Sequence, residues 1–193
     1  MLEEKAKDYQ LKIAASKLPR EAALLSYNVY LLPKIGYPLP AMSLSENTCY
    51  SIQALTLLAL LPKLHLNRNI ARSIVFGPIK YGGLAIKTLY SIQSIGQLTL
   101  FIRHSREKDK TSTLLNISIS HIQLSVGTCT SVLELPFSTY GVWLGSYWLV
   151  SFWRFLQRSS LHITLTPQWL PTHTRSGDIA LMDHFITQHY KAH

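Results

Sequence analysis

Carboxylates are scarce in this chain. Its 193 residues carry 10 Asp and Glu against 19 Lys and Arg, a formal charge of +9. The aspartates are Asp8, Asp109, Asp178 and Asp183, and no two are adjacent. Two-metal phosphoryl transfer needs closely placed carboxylates to hold its cations. The chain is therefore poorly equipped to work alone as a nuclease or polymerase, and no catalytic residue is assigned. Cysteine is scarce as well. Cys49 and Cys129 stand far apart with no C-x-x-C, which points away from a disulfide framework or zinc module and fits a reducing compartment.

Other absences narrow the field further. The opening MLEEKAKDYQLK is charged and has no apolar stretch of the kind a secretory signal needs. The expectation is an intracellular chain, in cytoplasm or nucleus, so the sequon at Asn116-Ile117-Ser118 carries no weight. The apolar runs IQALTLLALL and VWLGSYWLVSFW are too short to span a bilayer and read as buried helix, so no transmembrane segment is expected. There is no H-E-x-x-H and no G-x-S-x-G, and His184 and His189 miss the i, i+4 spacing of a helical metal pair. No cofactor and no metal are expected. Gly77 and Gly82 do have the G-x-x-x-x-G spacing of a phosphate loop. However, Gly83 and Leu84 follow where Lys and Ser or Thr are needed, and Pro78 has no N–H to offer a phosphate. VFGPIKYGGLAI is a turn rather than a nucleotide site.

What is present is globular, with 47% apolar and 15% charged residues. Leu24, Tyr27 and Leu31 fall at helical spacing after Pro19, with Pro33, Pro38 and Pro40 expected to end that helix. Ser43 and Glu46 form an S-x-x-E capping box, which starts a second helix near residue 44 that Pro62 stops. A third begins near Thr88, with Leu89, Ile92, Ile95, Leu98 and Ile102 on one stripe. RHSREKDKTS reads as a solvated loop. Leu115, Ile119, Ile122 and Val126 suggest a fourth helix, although NISIS also alternates as a strand would. From Ser146 to Gln157, Trp148, Phe152 and Phe155 lie beside Leu149, Trp153 and Leu156, two stripes of one buried helix. Leu181 and Phe185 suggest a last short one. The sum is an all-α chain, a helical bundle over residues 1–105 followed by a further helical region over 106–193. Trp148, Phe152, Leu89, Ile92, Leu55 and Leu58 are expected in its core.

Several stretches in order resemble a known family. YPLPAMSLSE (Tyr37 to Glu46) and LPKLHLNRNIARSIVFGPIKYGGLAIKTLY (Leu61 to Tyr90) are similar to the region just after the palm in reverse transcriptases of eukaryotic, non-LTR-like retroelements. That region has a Tyr-Pro-Leu-Pro-Ala connector, an apolar helix, a basic LP segment, then a GP-x-x-YGGLG turn leading into a helix. LELPFSTYGVW resembles the family's LF-x-x-P(F/Y)-x-x-Y stretch, SYWLVSFWRFL its Trp-rich helix, and LPTHTRSGDIALMDHF its L-x-R-E-G-D segment. The likeness runs from about Leu18 onward. Ala85 replaces the third glycine of the turn, Ser176 stands where the family has Glu, and no Y-x-D-D palm motif occurs.

The resemblance implies a thumb-like region and its downstream helices, parted from the palm and fingers that would be its partners. It implies contact with the backbone of a primer–template duplex, weakly and without sequence preference. Together with the positive charge it marks Lys63, Arg68, Arg72, Lys80, Tyr81, Gly82, Gly83 and Lys87 as nucleic-acid-binding residues. The residues alone leave two choices open. Gly82 and Gly83 either turn the chain through positive φ or let it come close to a ligand, and the basic residues form either a solvated face or a phosphate-contacting one. A second function class also fits the sequence, a helical interaction or membrane-peripheral protein using Trp143, Trp148, Phe152 and Trp153.

Overall fold

The computed structural model describes residues 1–128, 130–164, 177, 179 and 181–189. These are all-α, with no strand among the described residues. The chain divides into two compact units, residues 1–96 and 97–193.

The first unit opens with α1 (Leu2–Ala15), whose Leu2, Ala6, Tyr9 and Ile13 are buried at intervals of one helical turn. Only the charge of this segment stood out in the sequence; its apolar stripe packs against α4 (Glu46–Lys63). Next come α2 (Arg20–Ser26), a π-helical turn (Tyr27–Leu31) and α3 (Leu32–Gly36). Pro33 was expected to end this helix and does not. A proline clashes with the carbonyl four residues earlier, here that of Val29, which lies within the widened π turn. The wider turn gives that carbonyl room, and the helix continues to Gly36.

The cap of α4 is Ser45, not Ser43. Its hydroxyl accepts from the Thr48 backbone N–H at 3.1 Å. Pro62 lies inside the last turn, one residue before the helix ends. The buried face of α4 includes Cys49, Ile52, Gln53, Thr56, Leu57, Leu60 and Leu61. Leu58 points away from that face and is 41% exposed, contrary to expectation, and Leu55 is half-buried. Burial pushes the Cys49 thiol up to about 11 and the Tyr27 hydroxyl up to about 12. Neither ionises near neutral pH.

Helix α6 (Leu89–Glu107) starts where expected, but of the apolar stripe read from the sequence only Leu89 is fully buried. Leu89, Gln93, Ser94, Gln97 and Phe101 are buried, Ile92 and Leu98 are half-buried, and Ile95 and Ile102 are exposed. At Gln93 the polar side chain takes an inner position because it has a backbone to serve. The Gln93 amide accepts from Leu44 N–H at 3.1 Å and donates to Leu44 C=O at 3.0 Å, standing in for a strand partner.

In the second unit the expected loop RHSREKDKTS is mostly helix. Helix α6 runs to Glu107, Lys108 turns with φ of 49°, and Asp109 caps α7 (Lys110–Val126) by accepting from Ser112 N–H at 2.7 Å. That bond and the neighbouring His104 hold the Asp109 carboxyl below its ordinary range. One capping side chain thus turns a polar run into a tight helix–helix corner. NISIS is helical, and Ile119, Ile122 and Val126 are buried. The core is completed by a single 3₁₀ turn at Val132–Glu134, α8 (Phe137–Tyr140) and α9 (Trp148–Arg158). Phe152 and Trp153 are buried and Trp148 is half-buried. Phe152 stacks on Phe101 at 5.0 Å and on Trp148 at 5.8 Å, and Trp153 meets Phe137 edge-on at 5.2 Å. In α10 (Leu181–His189), Leu181 and Phe185 are exposed. Part of the L-x-R-E-G-D-like segment, Ser176 included, lies outside the described residues.

Candidate nucleic-acid interface

The stretch from Leu64 to Thr88, which joins α4 to α6, is built from short hydrogen-bonded turns. His65 leaves α4 at φ of 58°, and Leu66 N–H returns to Leu61 C=O at 3.0 Å. The Asn67 side chain accepts from Asn69 N–H at 2.8 Å, a local turn that carries the exposed Arg68. Helix α5 (Arg72–Phe76) follows, with Arg72 exposed at its first position.

The glycine-containing segment then folds back on α5. Leu84 N–H bonds to Ile74 C=O at 2.9 Å, Ile86 N–H to Val75 C=O at 3.2 Å, and Ala85 N–H to Gly77 C=O at 2.8 Å. At the tip, the Pro78 carbonyl accepts from both Tyr81 and Gly83 N–H at 3.0 Å. The two glycines do different jobs. Gly82 turns the chain at φ of 77°. Gly83 gives the backbone a close approach to itself, since a Cβ there would lie 2.1 Å from the Gly77 carbonyl oxygen. Ala85, where the resembling motif has its third glycine, is held at φ of 49°, a conformation that costs a residue with a Cβ roughly 1 kcal/mol.

The candidate cations fall into two sets. Arg68, Arg72, Lys80 and Lys87 are exposed. Lys63 is half-buried and its ammonium donates to the Ser16 carbonyl at the C-terminus of α1, so its charge serves that helix end. Tyr81 is 79% exposed, and the Lys80 ammonium lies 5.8 Å from its ring centroid. Beside the turn is an open apolar groove of about 700 Å³, lined by Phe76, Pro78, Ile86, Lys87, Ile92 and Ile95 among others.

Sequence reasoning missed Gln53, the residue that ties this surface to the core. Its amide nitrogen donates to the Tyr27 hydroxyl at 3.0 Å and to the Lys87 carbonyl at 2.9 Å, and its oxygen accepts from Leu89 N–H at 3.2 Å. A lone glutamine within an apolar run was the only available signal. In the second unit, His104, Glu107 and Asp109 bring ligand atoms within 4.8 Å of one another and could hold a cation. Each already has work in the corner. Asp109 caps α7 and meets His104 at 2.7 Å, and Glu107 pairs with Arg103 at 3.0 Å.

The aromatic patch of the interaction reading is divided by the fold. Phe152 and Trp153 are core residues, while Val142, Trp143 and Tyr147 are exposed at 60%, 67% and 57%. Among the described residues no helix is long and apolar enough to cross a membrane. Comparison with known proteins finds no match to a family model, a curated protein or a solved structure.

Proposed function

We infer that this chain is a non-catalytic, nucleic-acid-binding fragment related to the post-palm thumb region of a retroelement reverse transcriptase. Its exposed basic surface contacts the backbone of a primer–template duplex. One observation carries the reading. The GPIKYGGLA turn is a rigid, self-bonded structure with Arg68, Arg72, Lys80 and Lys87 exposed along the stretch that contains it. The left-handed φ at Ala85 adds support, because the resembling motif has glycine at that position. An excess of positive charge on a fixed scaffold suits a polyanion of regular spacing.

The exposed Val142, Trp143 and Tyr147 favour a second reading, a membrane-peripheral or protein-binding surface on the second unit. One experiment separates the two. Fluorescence anisotropy with a labelled primer–template duplex is run beside co-sedimentation with vesicles containing anionic phosphatidylserine. The duplex should bind with an affinity that falls steeply with salt and is indifferent to sequence, and Trp143→Ala should leave it unchanged. Vesicle binding lost on Trp143→Ala, without duplex binding, would favour the second reading. Primer extension on an RNA template with magnesium or manganese should be absent, and clear extension by a nuclease-free preparation would refute the non-catalytic assignment.

A further inference from the structure

We propose that Tyr81 is a stacking platform for an unpaired nucleobase, so that this surface takes a duplex with a single-stranded overhang in preference to a blunt one. The proposal rests on the nucleic-acid reading above and adds to it a ligand class and a residue.

Tyr81 is 79% exposed and buries little of its apolar area within the protein, so its ring is open to a ligand. The ring stands at the tip of a turn whose main chain is pinned by the paired bonds to Pro78 C=O and by the bond from Gly82 N–H to Ile79 C=O at 2.9 Å. A backbone fixed before binding leaves little freedom to lose on capture of a ligand. Ile79, 75% exposed, adds apolar surface on the same tip. Lys80 places its ammonium 5.8 Å from the ring centroid, where it can attract the phosphate flanking a stacked base.

A second pair in the same unit shows what distinguishes this one. The Lys34 ammonium lies 5.2 Å from the Tyr30 ring, but Lys34 also faces the Asp8 carboxylate at 3.8 Å. Among the described residues no carboxylate is paired with Lys80. The Tyr81–Lys80 tip therefore combines a free π face with an uncompensated cation, the two elements of single-strand capture. A blunt end offers such a ring only the outer face of its terminal pair, whereas the template overhang at a primer–template junction offers unpaired bases.

The test uses the full chain and two DNA probes, a blunt duplex and the same duplex with a 5′ overhang carrying 2-aminopurine next to the junction. The parent should bind the overhang probe more tightly and quench the 2-aminopurine. Tyr81→Ala should lower affinity for the overhang probe roughly 5- to 100-fold and abolish the quench, with a much smaller loss on the blunt duplex. A circular dichroism spectrum and thermal midpoint matching the parent's show that the variant is folded. Tyr81→Phe should retain both signals, and Arg68→Ala should weaken the two probes alike. Equal effects of Tyr81→Ala on both probes, or none on either, would overturn stacking and leave the backbone-contact reading intact. A parent that binds neither probe at low salt would overturn both.

Discussion

Trp153→Ala should cost about 3–5 kcal/mol, the range for removing a large aromatic from a packed core. Trp153 is 1% exposed, meets Phe137 edge-on at 5.2 Å, and donates its indole N–H to the Leu135 carbonyl at 2.9 Å. Alanine would remove the packing and leave that carbonyl without its donor. For a unit of this size the thermal midpoint should fall by at least about 12 °C. Trp153→Phe keeps much of the volume and loses the hydrogen bond, so its loss should be about 1–2 kcal/mol. Near-ultraviolet circular dichroism followed with temperature reports both. A change under about 3 °C for Trp153→Ala would mean that the aromatic cluster is not the core of the second unit.

Gln53→Leu should be nearly as damaging to the first unit, for an opposite reason. Leucine fits an apolar helix face, but the Lys87 carbonyl and the Leu89 N–H lose their side-chain partner, and the Tyr27 hydroxyl is left with Thr56 alone. Buried groups left unpaired cost about 1–3 kcal/mol each, and partial relaxation should bring the sum to roughly 3–4 kcal/mol. Tyr27→Phe removes one of the three interactions and should cost about 1 kcal/mol. Because the two share a hydrogen bond, the double variant should lose less than the sum of the singles. Chemical denaturation of the four proteins measures the coupling, and strict additivity would show that the Gln53–Tyr27 bond contributes nothing to stability.

The helices announced themselves where apolar residues carried the pattern. Leu24, Tyr27 and Leu31, then Ile119, Ile122 and Val126, and then Phe152, Trp153 and Leu156 all lie on helices, as their spacing suggests. Reading failed where polar side chains did the structural work. The inner face of α6 runs through Gln93, Ser94 and Gln97 as well as Leu89 and Phe101, so the hydrophobic stripe met the core at Leu89 and missed it at Ile95 and Ile102, which face solvent. A rule of proline as terminator missed the π turn ahead of Pro33, because its relief comes from backbone geometry upstream. The charged run RHSREKDKTS looked like loop because a single cap, Asp109, can close a corner within two residues.

The candidate interface was legible as chemistry and not as geometry. Arg68, Arg72, Lys80 and Lys87 do lie exposed, yet nothing in the sequence separated them from Lys63, whose ammonium is engaged by Ser16. The choice left open at the glycines is resolved by backbone contacts that no spacing reveals. Gly82 supplies the turn, and Gly83 lets the backbone approach itself.

The most direct measurement on the central claim compares two triple variants of equal charge. One replaces Arg68, Arg72 and Lys80 by alanine, the other Lys5, Lys7 and Lys12. In the second set Lys12 pairs with Asp8 at 2.8 Å and Lys5 donates to the Lys34 carbonyl at 3.4 Å. These are exposed contacts worth little to stability, so that control should keep its fold, checked by circular dichroism. Duplex affinity is then measured across a range of salt concentrations. If the three residues of the first set touch phosphate, that variant should flatten the slope of log affinity against log salt by roughly two to three units, while the second set changes it little. Equal losses from the two triples would mean that net charge alone drives binding, and the surface around the glycine turn would have no special part in it.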